Sequence, residues 1–210
     1  YNSGWGGAKG YSMERLSFNS ATNDSLNWAT TLSPNGGTPG INNSIVNTPK
    51  YSSGSLVINE IMFDPATGNA EYLEFYNTSS DSIQLGGIEI RIGSSAKFKL
   101  ANTFYKLPSQ NYFVLTSDSS IYKSFPWLKL DNKVKITSSS SLSLSNEGAL
   151  LILKDLRGDT LDSLIYSSAW HNKNILATKN RSLERLNPLL GSNVRSNWNT
   201  SVNAEGGSPG

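Results

Sequence analysis

The sequence contains no cysteine, which excludes disulfides, thiolate metal sites and cysteine nucleophiles. Its single histidine, His171, leaves a zinc site or a Ser-His-Asp triad with one candidate side chain. The loop after it (HNKNILATKN) carries no nucleophile elbow, so His171 reads as a surface-loop residue. No apolar run reaches the roughly 18 residues that a membrane-crossing helix needs, and no signal peptide is legible. Tyr1 falls inside a recognisable pattern, so the chain is expected to be a piece of a longer protein. Charge is also scarce: 16% of residues are charged, against roughly 25% in typical soluble domains. A net charge of +2 gives no global case for nucleic-acid binding.

Aromatics are plentiful, with five Trp, nine Tyr and seven Phe, and 37% of the chain is hydrophobic, enough for a sizeable core. Ser, Asn, Thr and Gly take the place of charge. Asn, Ser and Gly close turns, while Thr and aromatics suit strands, so the composition predicts many short strands. The charges that exist are segregated. Glu60, Asp64, Glu71, Glu74, Asp81 and Glu89 form an acidic stretch, and the lysines of 97–135 a basic one. Two solvated, mutually complementary edges are the simplest account.

One segment occurs twice. SMERL at 12–16 returns as SLERL at 182–186, Asn27-Trp28 as Asn197-Trp198, and GGTPG at 36–40 as GGSPG at 206–210, all displaced by 170 positions. Tyr1–Trp5 also matches Tyr166–Trp170, displaced by 165. Three motifs in fixed register predict that residues 1–44 are the closing segment of one module and 55–210 a complete second module, joined by a polar linker over 45–54. Residues 1–44 are expected to pack on the complete module or to exchange with a neighbouring chain.

Within the complete module, period-2 alternation predicts strands at 55–62, 71–77, 82–92 (with a bulge at Gly86-Gly87), 98–100, 112–116 and 134–136. A hairpin over 149–166 turns at Asp155–Gly158, and short strands at 182–186 and 196–198 close the set. Leu56, Ile58 and Glu60 should share one face and Val57 and Ile61 the other. Helical periodicity is confined to one turn near 121–127. Strand after strand with regular turn signals reads as an all-β sandwich.

LVINEIMFDP, EYLEFYN, LSNEGALLILKDLRGDTLDSLIY and the SLERL…NW…GGSPG closure, in that order, resemble the lamin tail domain in its bacterial form. The resemblance covers nearly all of 55–210 and, as a partial copy, 1–44. It implies an all-β, immunoglobulin-like β-sandwich of the lamin-tail type. In bacteria the family looks like an accessory module of large exported proteins, often repeated or joined to hydrolases, nucleases or adhesion modules, and the resemblance says more about fold than about function.

Several residues could carry chemistry. Glu60, Asp64, Glu71 and Glu74 are hard oxygen ligands suited to calcium, or a carboxylate pair of the kind that hydrolyses glycosides at separations of about 5–10 Å. The loop DPATGN lacks the alternating aspartates of a strong calcium loop. Structural use of the acids is the leading reading: Glu71 and Glu74 point to opposite faces, the inward one, taken as Glu74, must be paired, and Arg185 is its expected partner. Trp28 and Trp198 are expected to plug a core. Trp127, after Pro126, is the candidate exposed ligand-stacking ring. Arg157-Gly158-Asp159 spells an adhesion tripeptide at a hairpin tip, where a glycine is needed for the turn in any case. Asp24-Ser-Leu, Asp81-Ser-Ile, Asp159-Thr-Leu and Asp162-Ser-Leu resemble an O-glycosylation signal of exported proteins.

Together these features predict a non-catalytic accessory or interaction module of a larger secreted or cell-surface protein, serving attachment, spacing or protein–protein contact. No cofactor is expected apart from the calcium candidate. Expected partners are other modules of the parent protein or a cell-surface protein or glycan, with neither nucleic acid nor membrane insertion. The alternatives are a carbohydrate-binding module accompanying a secreted hydrolase and a carboxylate-dependent hydrolase.

Overall fold

A computed structural model describes residues 5–7, 9–46, 50–94, 96–100, 105–130, 134–136 and 142–210, and for 96, 97, 99 and 135 the backbone alone. Tyr1–Gly4, which open the repeat match displaced by 165, and the serine run at 138–141 lie outside the described residues. The strands are β1 (Met13–Arg15), β2 (Trp28–Thr30), β3 (Leu56–Met62), β4 (Tyr72–Asn77), β5 (Ile83–Gln84), β6 (Glu89–Ile92), β7 (Ala96–Lys99), β8 (Lys106–Leu107), β9 (Tyr112–Thr116), β10 (Val134–Ile136), β11 (Gly148–Lys154), β12 (Thr160–Ser167), β13 (Leu183–Arg185) and β14 (Trp198–Thr200). One short helix, α1 (Ile121–Ser124), precedes a 3-10 turn at Pro126–Leu130. Among the described residues no helix is long and apolar enough to cross a membrane.

A six-stranded sheet in the order β10-β9-β4-β3-β13-β14 faces a four-stranded sheet in the order β12-β11-β6-β7. All neighbours are antiparallel except β10 on β9. Leu56, Ile58, Ile61, Leu73, Phe75, Leu115, Leu183 and Trp198 of the first sheet meet Ile90, Leu151, Leu153, Leu164 and Tyr166 of the second in one dry core. This is the two-sheet packing of an immunoglobulin-like sandwich. The outer face of the large sheet carries a second, smaller core, where Met62, Tyr72 and Val114 are covered by Ile121, Phe125 and Leu128.

Strict alternation breaks in β3. The pairing with β4 slips between Ile58 and Glu60, leaving Asn59 as an extra residue. A bulge of this kind re-aims every side chain after it. Ile61, rather than Glu60, therefore joins Leu56 and Ile58 in the main core, and Glu60 turns to the outer face opposite Glu74. Gly86-Gly87, read from sequence as a bulge, is instead a turn separating β5 from β6.

The N-terminal hairpin reproduces the strand register of the C-terminal one. Met13↔Thr30 and Arg15↔Trp28 correspond to Leu183↔Thr200 and Arg185↔Trp198. The Asn27 side chain bridges to Ser17 as Asn197 does to Asn187. The indole N–H of Trp28 donates to the Thr22 carbonyl at 2.7 Å, as that of Trp198 does to Ser192 at 2.8 Å. The buried faces nevertheless differ. In β13 and β14 the residues Leu183, Arg185, Trp198 and Thr200 point into the sandwich. In β1 and β2 it is Glu14, Leu16 and Ala29 that are buried, beneath Ile45 and beside Leu156 of the β11–β12 turn. Ile45, assigned to the linker by its polar surroundings, is fully buried, because a lone two-stranded ribbon needs an apolar cover. Trp28, expected in a core, is only half-buried, since among the described residues β1 pairs with β2 alone and no second sheet covers that face.

Candidate functional site: a buried acid pair under the C-terminal segment

The bulge at Asn59 puts two glutamates side by side. Glu60 and Glu74 are direct cross-strand partners, each 1% exposed. The hydroxyls of Tyr72 and Ser182 donate to Glu60 Oε1 at 2.6 Å each, and the Ser208 amide donates to it at 3.0 Å. Glu74 accepts from Asn59 Nδ2 at 2.9 Å and from the Gly210 amide at 2.6 Å. Among the described residues no cation neutralises the pair: its donors are hydroxyls, an amide side chain and backbone N–H groups. Burial, only partly offset by these bonds, pushes Glu60 up to about 7; burial together with the neighbouring Glu60 pushes Glu74 up to about 8. The pair therefore holds its protons to higher pH than exposed glutamates do.

The GGSPG segment exists to close over these acids. A Cβ on Gly207 would lie 2.1 Å from the Tyr72 hydroxyl and 2.7 Å from Glu60 Oε1, so only glycine lets the backbone come close enough to donate. Pro209 presents its carbonyl to the Trp127 indole N–H at 2.8 Å, and Trp127 packs edge-on against Phe125. Trp127 is 41% exposed, but its polar edge is committed to holding the C-terminal segment down.

Arg185 does not pair with Glu74. It lies on the opposite face of the large sheet, where its guanidinium donates to the Ile58 carbonyl at 2.9 Å and to Asp162 of β12 at 3.4 Å. It also donates to Ser192 Oγ at 2.9 Å and lies over the Trp198 ring. Asp162 accepts the Ile58 amide at 2.9 Å and the Ser192 hydroxyl. This buried cluster bolts the four-stranded sheet to β3 and β13. Sequence reasoning found Arg185 and missed Asp162; its place two residues into a strand otherwise reading apolar-polar was the only available signal.

The four calcium candidates do not converge. Glu60 and Glu74 are sealed, while Asp64 lies beside Lys179 and Asn146. Glu71 accepts the Leu144 amide at 2.9 Å. Among the described residues no group of three or more His, Asp or Glu side chains is gathered as a metal ion would require. His171 is buried rather than on a surface loop: its ring lies against Phe63, and Nδ1 is 2.9 Å from Thr200 Oγ1. Burial, then nearby Arg195, pulls its pKa down. The Arg157-Gly158-Asp159 tip is docked on the N-terminal hairpin through Leu156, and Asp159 pairs with Lys50 at 3.7 Å.

The family comparison agrees with this architecture. The Lamin Tail Domain family matches residues 49–168, more than half of the 210-residue chain. None of the curated proteins compared with the chain matches it.

Proposed function

This chain belongs to the Lamin Tail Domain family, and on that footing we propose that it serves as a non-catalytic accessory module of a larger exported or cell-surface protein, contributing attachment, spacing or protein–protein contact. The observation that carries the reading is how the chemically distinctive side chains are used. Glu60 and Glu74 fasten the C-terminal segment, Asp162 and Arg185 join the two sheets, and His171 holds Thr200. Each is committed to a bond within the fold, as expected where stability rather than turnover is the task. Residues 1–44 are the closing segment of a second lamin-tail-like unit; the shared hydrogen-bond register of β1–β2 and β13–β14 supports this. Exposed Ser25, Ser82 and Thr160 within the Asp-Ser/Thr-apolar tripeptides support an exported setting.

The reading is tested by co-sedimentation of the purified chain with bacterial cell envelopes, where saturable retention without released product is expected. Turnover of chromogenic glycosides or esters that Glu60→Gln abolishes would overturn it. Retention on cellulose or chitin that Trp127→Ala removes would replace it with the carbohydrate-binding alternative.

A further inference from the structure

The C-terminal hairpin and the N-terminal hairpin present the same groups, but among the described residues only the C-terminal one has a further strand beside it. In the complete module β13 pairs with β14 on one edge and with β3 on the other, Glu184 opposite Glu60 and Leu183 opposite Ile61. Among the described residues strand β1 pairs with β2 alone. On its second edge, among the described residues, only the Arg15 carbonyl is engaged, by the Asn43 side chain at 3.1 Å. An unpaired edge of this kind is a template for strand addition.

Beside that edge lies a groove of about 780 Å³ lined by Ser12, Glu14, Gly37, Thr38 and Pro39. Its counterpart in the module is filled. There the Ser182 hydroxyl and the Ser208 amide donate to Glu60, and the Gly210 amide donates to Glu74. The corresponding donors are Ser12, Thr38 and Gly40; Ser12 and Gly40 are exposed and Thr38 half-buried, whereas Ser182 is fully buried. The bond from the same segment to the hairpin's own glutamate is already made in both copies: Thr38 Oγ1 donates to Glu14 at 2.6 Å, and Ser208 Oγ to Glu184 at 3.0 Å. Gly37 repeats Gly207, with its missing Cβ 3.2 Å from Ser12 Oγ where that of Gly207 is 3.3 Å from Ser182 Oγ. On the adjoining face Arg15 keeps the Ser20 carbonyl and the Trp28 ring, as Arg185 keeps Leu190 and Trp198. The Ile58 carbonyl and the Asp162 carboxylate that complete Arg185 have no counterpart beside Arg15 among the described residues.

We infer that the free edge of β1 and its groove form a docking site for a β3–β4-type hairpin of another lamin-tail body, recognised by a strand glutamate that enters between Ser12 and Thr38. The occupant's chemistry is set by the second copy within this same chain: an apolar residue opposite Met13, a glutamate opposite Glu14, and a tyrosine and second glutamate on the neighbouring strand reaching the groove. Asn43 yields the Arg15 carbonyl on docking. The inference deepens the interaction-module reading and rests on it.

The test titrates the full chain into a fluorescein-labelled peptide of residues 55–77. Saturable binding is expected, with amide shifts at Ser12–Glu14 and Thr38. Gly37→Val in the chain fills the groove without a positive φ to oppose it and should weaken binding at least tenfold while leaving the unfolding midpoint unchanged. Ser12→Ala, at an exposed position, and a Glu60→Leu peptide should each weaken it as well. Equal affinity for the Gly37→Val and Ser12→Ala chains, or for the Glu60→Leu peptide, overturns the inference. Absence of peptide binding overturns it too, and leaves the broader reading to be judged on envelope co-sedimentation, which uses neither peptide nor variant.

Discussion

Stability should fall as pH rises from acid to mildly alkaline, and Glu74→Gln should make that fall shallower, leaving the part that belongs to Glu60. In the unfolded chain both glutamates titrate near 4.5; in the fold, burial raises both. The folded state therefore holds protons that the unfolded state releases. The stability linked to this is fully present below about pH 4.5 and is lost as pH climbs through 7 to 8. Because the two acids repel each other, their effects do not add, and the smaller rise, from 4.5 to about 7, sets the scale. That rise corresponds to roughly 3 kcal/mol, a large share of the 5–15 kcal/mol typical of a domain. Glu71 and Asp155 are also raised by burial and tilt the profile the same way, so the difference between wild type and variant isolates the pair. Urea unfolding at pH 5, 7 and 9 measures the slope, and hydrogen exchange at the Ser208 and Gly210 amides reports the segment that closes over the acids. A wild-type profile flat from pH 5 to 9, or a Glu74→Gln profile as steep as wild type, would refute the reasoning.

Three further outcomes follow from the same geometry. Gly207→Ala should destabilise the chain by about 2 kcal/mol or more, since its methyl would meet the Tyr72 hydroxyl at 2.1 Å, whereas Gly37→Ala should be nearly neutral; paired urea melts compare them. Arg185→Met should cost roughly 3–5 kcal/mol, because Asp162 would remain buried and uncompensated, and the double variant Arg185→Met/Asp162→Leu should recover much of that in the same melts. Leu156→Asp should detach the N-terminal hairpin from the sandwich, read as faster limited proteolysis within residues 9–46 with residues 50–210 left intact.

How much was legible in the sequence differs from site to site. The order of strands, the two-sheet class and the equivalence of the two hairpins follow from period-2 alternation and from three motifs at one spacing, because these are local signals. The GGSPG motif was visible as a repeat, but its use was not: the need for glycine at 207 arises from a tyrosine and a glutamate more than a hundred positions away. The Arg185–Glu74 pairing failed for a similar reason: Glu74 is buried on the outer face by a C-terminal segment more than a hundred positions away, while Arg185 lies on the inner face. The burial of Glu60 beside it was hidden differently. One extra residue at Asn59 inverts every later side chain of β3, and period counting carries no mark of where a bulge falls.

By itself the sequence determined that this chain would build a cysteine-free all-β sandwich closed by a repeated hairpin, since composition and alternation leave the backbone few other ways to bury 37% apolar residues. Only the tertiary structure decided which face each hairpin buries and which acids share a desolvated site. Those outcomes depend on strand register and on what covers each face: β13–β14 rests on a second sheet, while among the described residues β1–β2 lies against Leu32, Ile45 and Leu156.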